Sequence, residues 1–149
     1  MEFEQTRTWA ECSESAFLGN IRTVRQMLKN TKLLGVVKAN AYGHGAVRAA
    51  RLLGSEGAAG LAVSTLPEAV ELREAGIKLP VLVLGPTEPL FFDELVSHDL
   101  TQTVADPGFA ERYSQAAVKS GRSLKCHLKL DTGMGRLGFT EPAEALKAV

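Results

Sequence analysis

Leu33-Leu34-Gly35-Val36-Val37 runs directly into Lys38-Ala39-Asn40-Ala41-Tyr42-Gly43-His44-Gly45. The first five residues form a short hydrophobic run and predict a buried strand. The glycines, tyrosine and histidine that follow predict a loop. The strand therefore ends in a lysine. Desolvation at such a position lowers the amine's pKa and frees its lone pair, which suits Lys38 to hold an aldehyde cofactor as a Schiff base. Taken alone, a lysine there more often just ends a strand and points into water.

Outward from this stretch, strands and helices alternate. Thr8 to Cys12 is a short extended segment, and Phe17, Ile21, Val24 and Leu28 fall on one helix face. Ala46 to Leu53 predicts a helix and Leu61 to Ser64 a strand. Thr65, Pro67 and Glu68 then open another helix, Thr65 as cap and Glu68 closing a capping box, and Gly76 ends it. Val81 to Leu84, Thr101 to Val104 and Leu124 to Leu130 predict strands. Phe91 to Ser97 and Pro107 to about Ser120 predict helices, and a further helix begins at Glu141 or Pro142.

This alternation implies an α/β fold with parallel strands joined by crossovers. A doubly wound sheet would carry a phosphate-binding glycine-rich turn after its first strand. Here that loop carries Lys38 and Tyr42, with no G-x-G-x-x-G. The other solution is a (β/α)8 TIM barrel, of which the sequence supplies about five of eight strands. Residues 1–14 are expected to be an N-terminal strand segment, which by its resemblance to a known family would join a β domain outside this sequence. Residues 15–149 are expected to form a partial barrel.

Barrel active sites lie at the C-terminal ends of the strands. Lys38 ends the first strand of the barrel, and Lys129 followed by Asp131-Thr132-Gly133-Met134-Gly135-Arg136 ends the fifth. Side chains alternate along a strand. If Lys129 faces the interior, His127 and Lys125 do too, while Cys126, Leu128 and Leu130 face the helices. A half-wet edge strand would give the same pattern.

Composition bounds the partners. The 149 residues are 45% hydrophobic and 23% charged, and 17 basic residues balance 17 acidic ones. No basic excess draws nucleic acid, and no apolar run approaches a membrane span. The N-terminus has no signal-peptide pattern. Cys12 and Cys126 are expected to be reduced, packed residues of a cytoplasmic protein. With His44, His98 and His127 dispersed, no structural metal is expected.

The segment Val36 to Gly45 resembles the cofactor-lysine motif of bacterial alanine racemases, which use pyridoxal 5′-phosphate. His127-Leu128-Lys129-Leu130-Asp131-Thr132-Gly133-Met134-Gly135-Arg136-Leu137-Gly138-Phe139 is similar to that family's second signature. The spacing between the two matches, and Arg7-Thr8-Trp9-Ala10-Glu11 with Asn20-Ile21 resembles its N-terminal pattern. The resemblance runs from about Arg7 to Val149.

It implies that Lys38 binds pyridoxal 5′-phosphate and, once freed, is the base on the D-enantiomer face. Tyr42 would hydrogen-bond the phosphate. Arg136 would sit near the cofactor's phenolic oxygen and the substrate carboxylate. Lys129 matches a position that is carbamylated in some members. His44, Asp131 and Met134 would be structural. The opposite-face base would be a tyrosine from a second domain of a partner subunit, and Tyr113 matches no motif. These features imply a cytoplasmic homodimer that interconverts L- and D-alanine for peptidoglycan, with this chain an N-terminal fragment inactive by itself. Alternative readings are a non-catalytic pyridoxal-phosphate-binding barrel, a decarboxylase of related fold, and an inactive interaction module.

Overall fold

The computed structural model describes residues 8–148. Helix α1, Glu14–Leu28, is capped by Ser13, whose Oγ accepts from the Ala16 N–H at 3.3 Å. Of its predicted face Ile21 is buried, Phe17 and Leu28 are half-buried, and Val24 is exposed. Strand β1, Leu34–Val36, is followed by a single turn, α2, Lys38–Tyr42, and by α3, Ala46–Ser55. Then come β2, Gly60–Val63; α4, Leu66–Glu74; and β3, Val81–Val83. A 3₁₀ turn at Pro89–Phe91 leads into α5, Phe92–Ser97. The remainder is β4, Thr101–Val104; α6, Pro107–Ser120; β5, Lys125–Leu128; and α7, Pro142–Lys147.

The five strands form one parallel sheet in the order β1-β2-β3-β4-β5, each pairing with its sequence neighbour. This is a (β/α) barrel that has begun to wind and is not closed. Helix α4 starts as the sequence requires: Glu68 Oε2 accepts the Thr65 N–H at 3.1 Å, and Pro67 occupies the first turn, where its missing N–H costs nothing.

The two faces of the sheet differ sharply. Val37, Leu61, Val63, Val81, Val83 and Val104 pack with Leu53, Leu72, Leu95 and Tyr113 from the helices, all buried. Each fully buried Leu or Val contributes roughly 1.5–3 kcal/mol. On the other face the register runs Val36–Ala62–Leu82–Thr101–Lys125, with Thr103 beside His127 one step along. Lys125 and His127 therefore share the open, concave face with Val36, as their alternation predicted.

Residues 1–7 of the proposed N-terminal strand segment lie outside the described residues, and residues 8–13 pair with no strand among the described residues. Two other expectations change. The last strand stops at Leu128 rather than Leu130, because the chain turns at Asp131 to bring Phe139 back beside Leu130. Cys12 and Cys126 are both exposed rather than packed. Cys12 precedes α1 in an irregular stretch, and Cys126 lies on the edge strand, where it has a neighbour on one side only.

Candidate active site

Lys38 follows the buried Val37, whose N–H donates to the Ala62 carbonyl at 2.9 Å and extends the ladder one residue beyond β1. The lysine itself is half-buried at the C-terminal end of the strand. The four residues after it, Ala39, Asn40, Ala41 and Tyr42, have φ of 50°, 53°, 51° and 53°. They form one turn of left-handed helix. L-residues lose roughly 1–2 kcal/mol each in that conformation, so the turn stores about 4–8 kcal/mol that its surroundings must offset.

Several contacts do so. The Ala41 N–H donates to the Val37 carbonyl at 2.9 Å, and the Gly45 N–H to the Asn40 carbonyl at 3.0 Å. Asn40 Oδ1 accepts the Ala46 N–H at 2.8 Å, tying the turn to the start of α3. Gly43, at φ 90°, closes the turn where a Cβ would be strained. Glu68 Oε1 accepts the Ala39 N–H at 2.8 Å from the start of α4, just past the neighbouring strand β2. The same carboxylate receives Ser64 N–H at 2.7 Å. Burial pushes Glu68 up, but the N–H groups of Ala39, Ser64 and Thr65 outweigh it and leave its carboxyl below 4.5. Tyr42 emerges from the turn 64% exposed. His44 is exposed beside Phe17, their ring centroids 6.2 Å apart.

At the far edge of the sheet, Lys129 is half-buried and its N–H donates to the Val104 carbonyl at 2.9 Å. The next segment is pinned from within. Asp131 Oδ1 accepts Gly133 N–H at 2.9 Å and Gly135 N–H at 3.0 Å, and Oδ2 accepts Arg136 N–H at 2.9 Å. These donors, Gly135 foremost, hold the Asp131 carboxyl below the usual carboxylate range. Main-chain bonds from Phe139 N–H to the Lys129 carbonyl, 2.8 Å, and from Asp131 N–H to the Phe139 carbonyl, 2.9 Å, shut the loop's base. Arg136 and Met134 are exposed on it.

Lys38 with Tyr42, and Lys129 with Arg136, thus follow strand ends along one edge of the sheet. Three strands separate the two groups, and among the described residues no hydrogen bond or ion pair joins Lys38, Tyr42, Lys129 or Arg136 to one another. Amine, phenol and guanidinium make a donor set suited to a small phosphate-bearing aldehyde. Among the described residues, no three His, Cys, Asp or Glu side chains gather as a metal site. Tyr113 is buried, its hydroxyl donating to the Thr87 carbonyl, and burial pushes its pKa up to about 12.

The sequence does not spell out the handedness of Ala39 to Tyr42; Asn40, Gly43 and Gly45, residue types tolerant of positive φ, are its only signal. Glu68 shows in the sequence only as a helix cap.

The family described as "Alanine racemase, N-terminal domain" matches residues 13–149. An alanine racemase of Clostridium perfringens is 42% identical over 141 residues, which cover 95% of this chain and 36% of that protein. The chain thus spans little more than a third of such relatives. The crystal structure of an alanine racemase from E. faecalis superposes with a TM-score of 0.82 at 40% identity, over 91% of this chain and 37% of that one. A histidine racemase from Leuconostoc mesenteroides subsp. sake gives a TM-score of 0.85 at 28% identity, over 91% of this chain and 36% of that one.

Proposed function

The chain belongs to the alanine racemase family, through that family's N-terminal domain, and from this premise we propose that it supplies one side of the active site of a pyridoxal-phosphate-dependent racemase interconverting L- and D-alanine. The observation that carries the reading is Lys38 half-buried at the C-terminal end of a parallel strand, directly before a strained turn bearing Tyr42. Strain of that kind is retained at functional sites, where the surrounding structure holds it in place.

Pyridoxal 5′-phosphate, when bound, supplies an electron sink for the charge left as the α-proton departs. Lys38 Nζ would hold the cofactor and, once freed by the substrate amine, would serve as the base that takes or returns that proton on one face of the substrate. The Tyr42 hydroxyl donates to the phosphate. The Arg136 guanidinium would present its fork of N–H donors to the substrate carboxylate. Carbamylated Lys129 would present an anion to hold Arg136 by a charge-assisted hydrogen bond. Tyr113 is engaged with Thr87 inside the core and is not the second base. That role falls to a tyrosine of another part of the protein, contributed across a homodimer.

No helix among the described residues is long and apolar enough to cross a membrane. Membership of the alanine racemase family is what supports a cytoplasmic enzyme supplying D-alanine for peptidoglycan. The relation to a histidine racemase makes the amino-acid preference the part most in need of measurement. In the intact protein, Lys38→Ala should reduce alanine interconversion to the rate without enzyme, and wild-type kcat/KM should favour alanine over histidine. Undiminished turnover in Lys38→Ala, or a preference for histidine, would refute the corresponding half of the assignment.

A further inference from the structure

We propose that Glu68 is a positioning residue for Lys38, holding the lysine's own backbone in place through the Ala39 N–H. The inference rests on Lys38 being the cofactor lysine.

A helix cap needs much less than Glu68 provides. The reciprocal bond of a capping box uses one carboxylate oxygen, and Glu68 Oε2 meets it with Thr65 N–H at 3.1 Å, adding Ser64 N–H at 2.7 Å. Oε1 is left over. It reaches a different element, 29 residues away in sequence, and accepts Ala39 N–H at 2.8 Å. The half-buried side chain thus spans from the start of α4 to the turn after β1.

The choice of donor is what makes the contact informative. The peptide unit joining Lys38 to Ala39 is planar, so fixing its N–H fixes ψ of Lys38. On the other side, Val37 is buried and bonded to Ala62, which fixes the approach of the chain. Lys38 is therefore clamped between a strand ladder and one carboxylate. The clamped peptide is also the first of the left-handed turn, where Ala39 at φ 50° would otherwise relax to an ordinary conformation and swing Lys38 away. Neutral glutamine cannot replace the carboxylate. It has one acceptor oxygen for donors that approach from two directions, and its NH₂ would face an N–H.

The test uses intact protein stripped of cofactor. Pyridoxal 5′-phosphate is added, samples are quenched with borohydride over time, and the pyridoxyl mass on the Lys38 peptide is followed. Hydrogen exchange of the 37–45 peptide is measured in parallel. Glu68→Gln should slow labelling of Lys38 at least tenfold and raise exchange in that peptide. Thr65→Ala, which weakens the α4 cap but leaves the Ala39 contact, should lower thermal stability while labelling at the wild-type rate. Ala39→Gly added to Glu68→Gln should recover part of the rate, since glycine takes positive φ freely. If Glu68→Gln does not fold, Glu68→Asp is measured instead: one methylene shorter, it still caps the helix but falls short of Ala39. Equal labelling in wild type and the Glu68 variant overturns the proposal, as does equal slowing in Thr65→Ala. A wild type labelled elsewhere than Lys38 overturns the cofactor assignment itself, and the proposal with it.

Discussion

At Asp131 one carboxylate organises the loop that carries Arg136. It takes three backbone N–H groups, the last from Arg136 itself, and it needs to be charged to do so. Its folded pKa is depressed, so its contribution is present above the ordinary value of 3.8 and is lost as pH falls through the lower folded value. Glu68 has the same sign, with its contribution lost as pH falls below 4.5. Asp131→Ala should release the loop and misplace Arg136. A misplacement of about 1 Å costs roughly 10²-fold in turnover, so kcat/KM for alanine in the intact protein should fall by about that factor. A fall below threefold would show that the loop holds its shape without Asp131. Lys129 makes a separate prediction. Intact mass should show an addition of carbon dioxide at Lys129, and Lys129→Ala should lose activity that small carboxylic acids partly restore. A plain ammonium with full activity would reject carbamylation.

The turn at Ala39–Tyr42 and the loop at Asp131–Phe139 both depart from regular geometry, and both can be probed by glycine exchange. Ala39 is exposed at φ 50°, so Ala39→Gly removes strain without opening a cavity. In the intact protein it should stabilise by about 1 kcal/mol and raise Tm in a thermal melt. Gly138, at φ 132°, is the opposite case: a Cβ there would meet Asp131 N at 2.6 Å, Leu130 C at 2.9 Å and Lys129 O at 2.9 Å. All three are backbone atoms in the bridge that closes the loop, so they have little freedom to yield. Gly138→Ala should cost about 1–3 kcal/mol, read from the urea midpoint. These two elements also mark the limit of what the sequence conveys. The alternation of Leu61 to Val63, Val81 to Leu84 and Thr101 to Val104 with helices was legible because burial imposes a period, and Thr65 to Glu68 because a cap has fixed chemistry. The left-handed turn has no period. It is held by long-range acceptors such as Glu68, and nothing local to residues 39–42 announces them. The sequence marks Lys38 and Arg136 as chemical groups and Asp131 as a structural residue of its turn, but Glu68 only as a helix cap, because its bond to Ala39 joins segments 29 residues apart.

At the scale of the whole chain, the open sheet dominates behaviour. β1 and β5 each pair on one side only, leaving two rows of unsatisfied backbone groups. Apolar side chains lie beside them: Leu34 is 47% and Val36 46% exposed on the concave face, and Leu130 is 53% exposed past the end of β5. Helices cover the other face; on this one Ala62 and Thr103 are buried in the middle of the sheet, while Leu34, Val36 and the residues of β5 at its two margins are exposed. An unpaired parallel edge flanked by exposed leucine and valine is a template for another chain. Residues 1–149 expressed alone should therefore associate, bind a hydrophobic dye such as ANS and melt without a sharp transition, although the helix-covered core is well packed. They should also show no racemase activity with added pyridoxal 5′-phosphate, since Lys38 and Arg136 stand at opposite ends of an unclosed sheet. The checks are light scattering after size exclusion, ANS fluorescence, thermal unfolding and D/L-alanine interconversion. A monodisperse monomer that unfolds cooperatively and racemises alanine would show that the five strands make a self-sufficient enzyme. A cooperative but inactive monomer would show that the exposed edges are tolerated and that the missing activity is a matter of incomplete machinery alone.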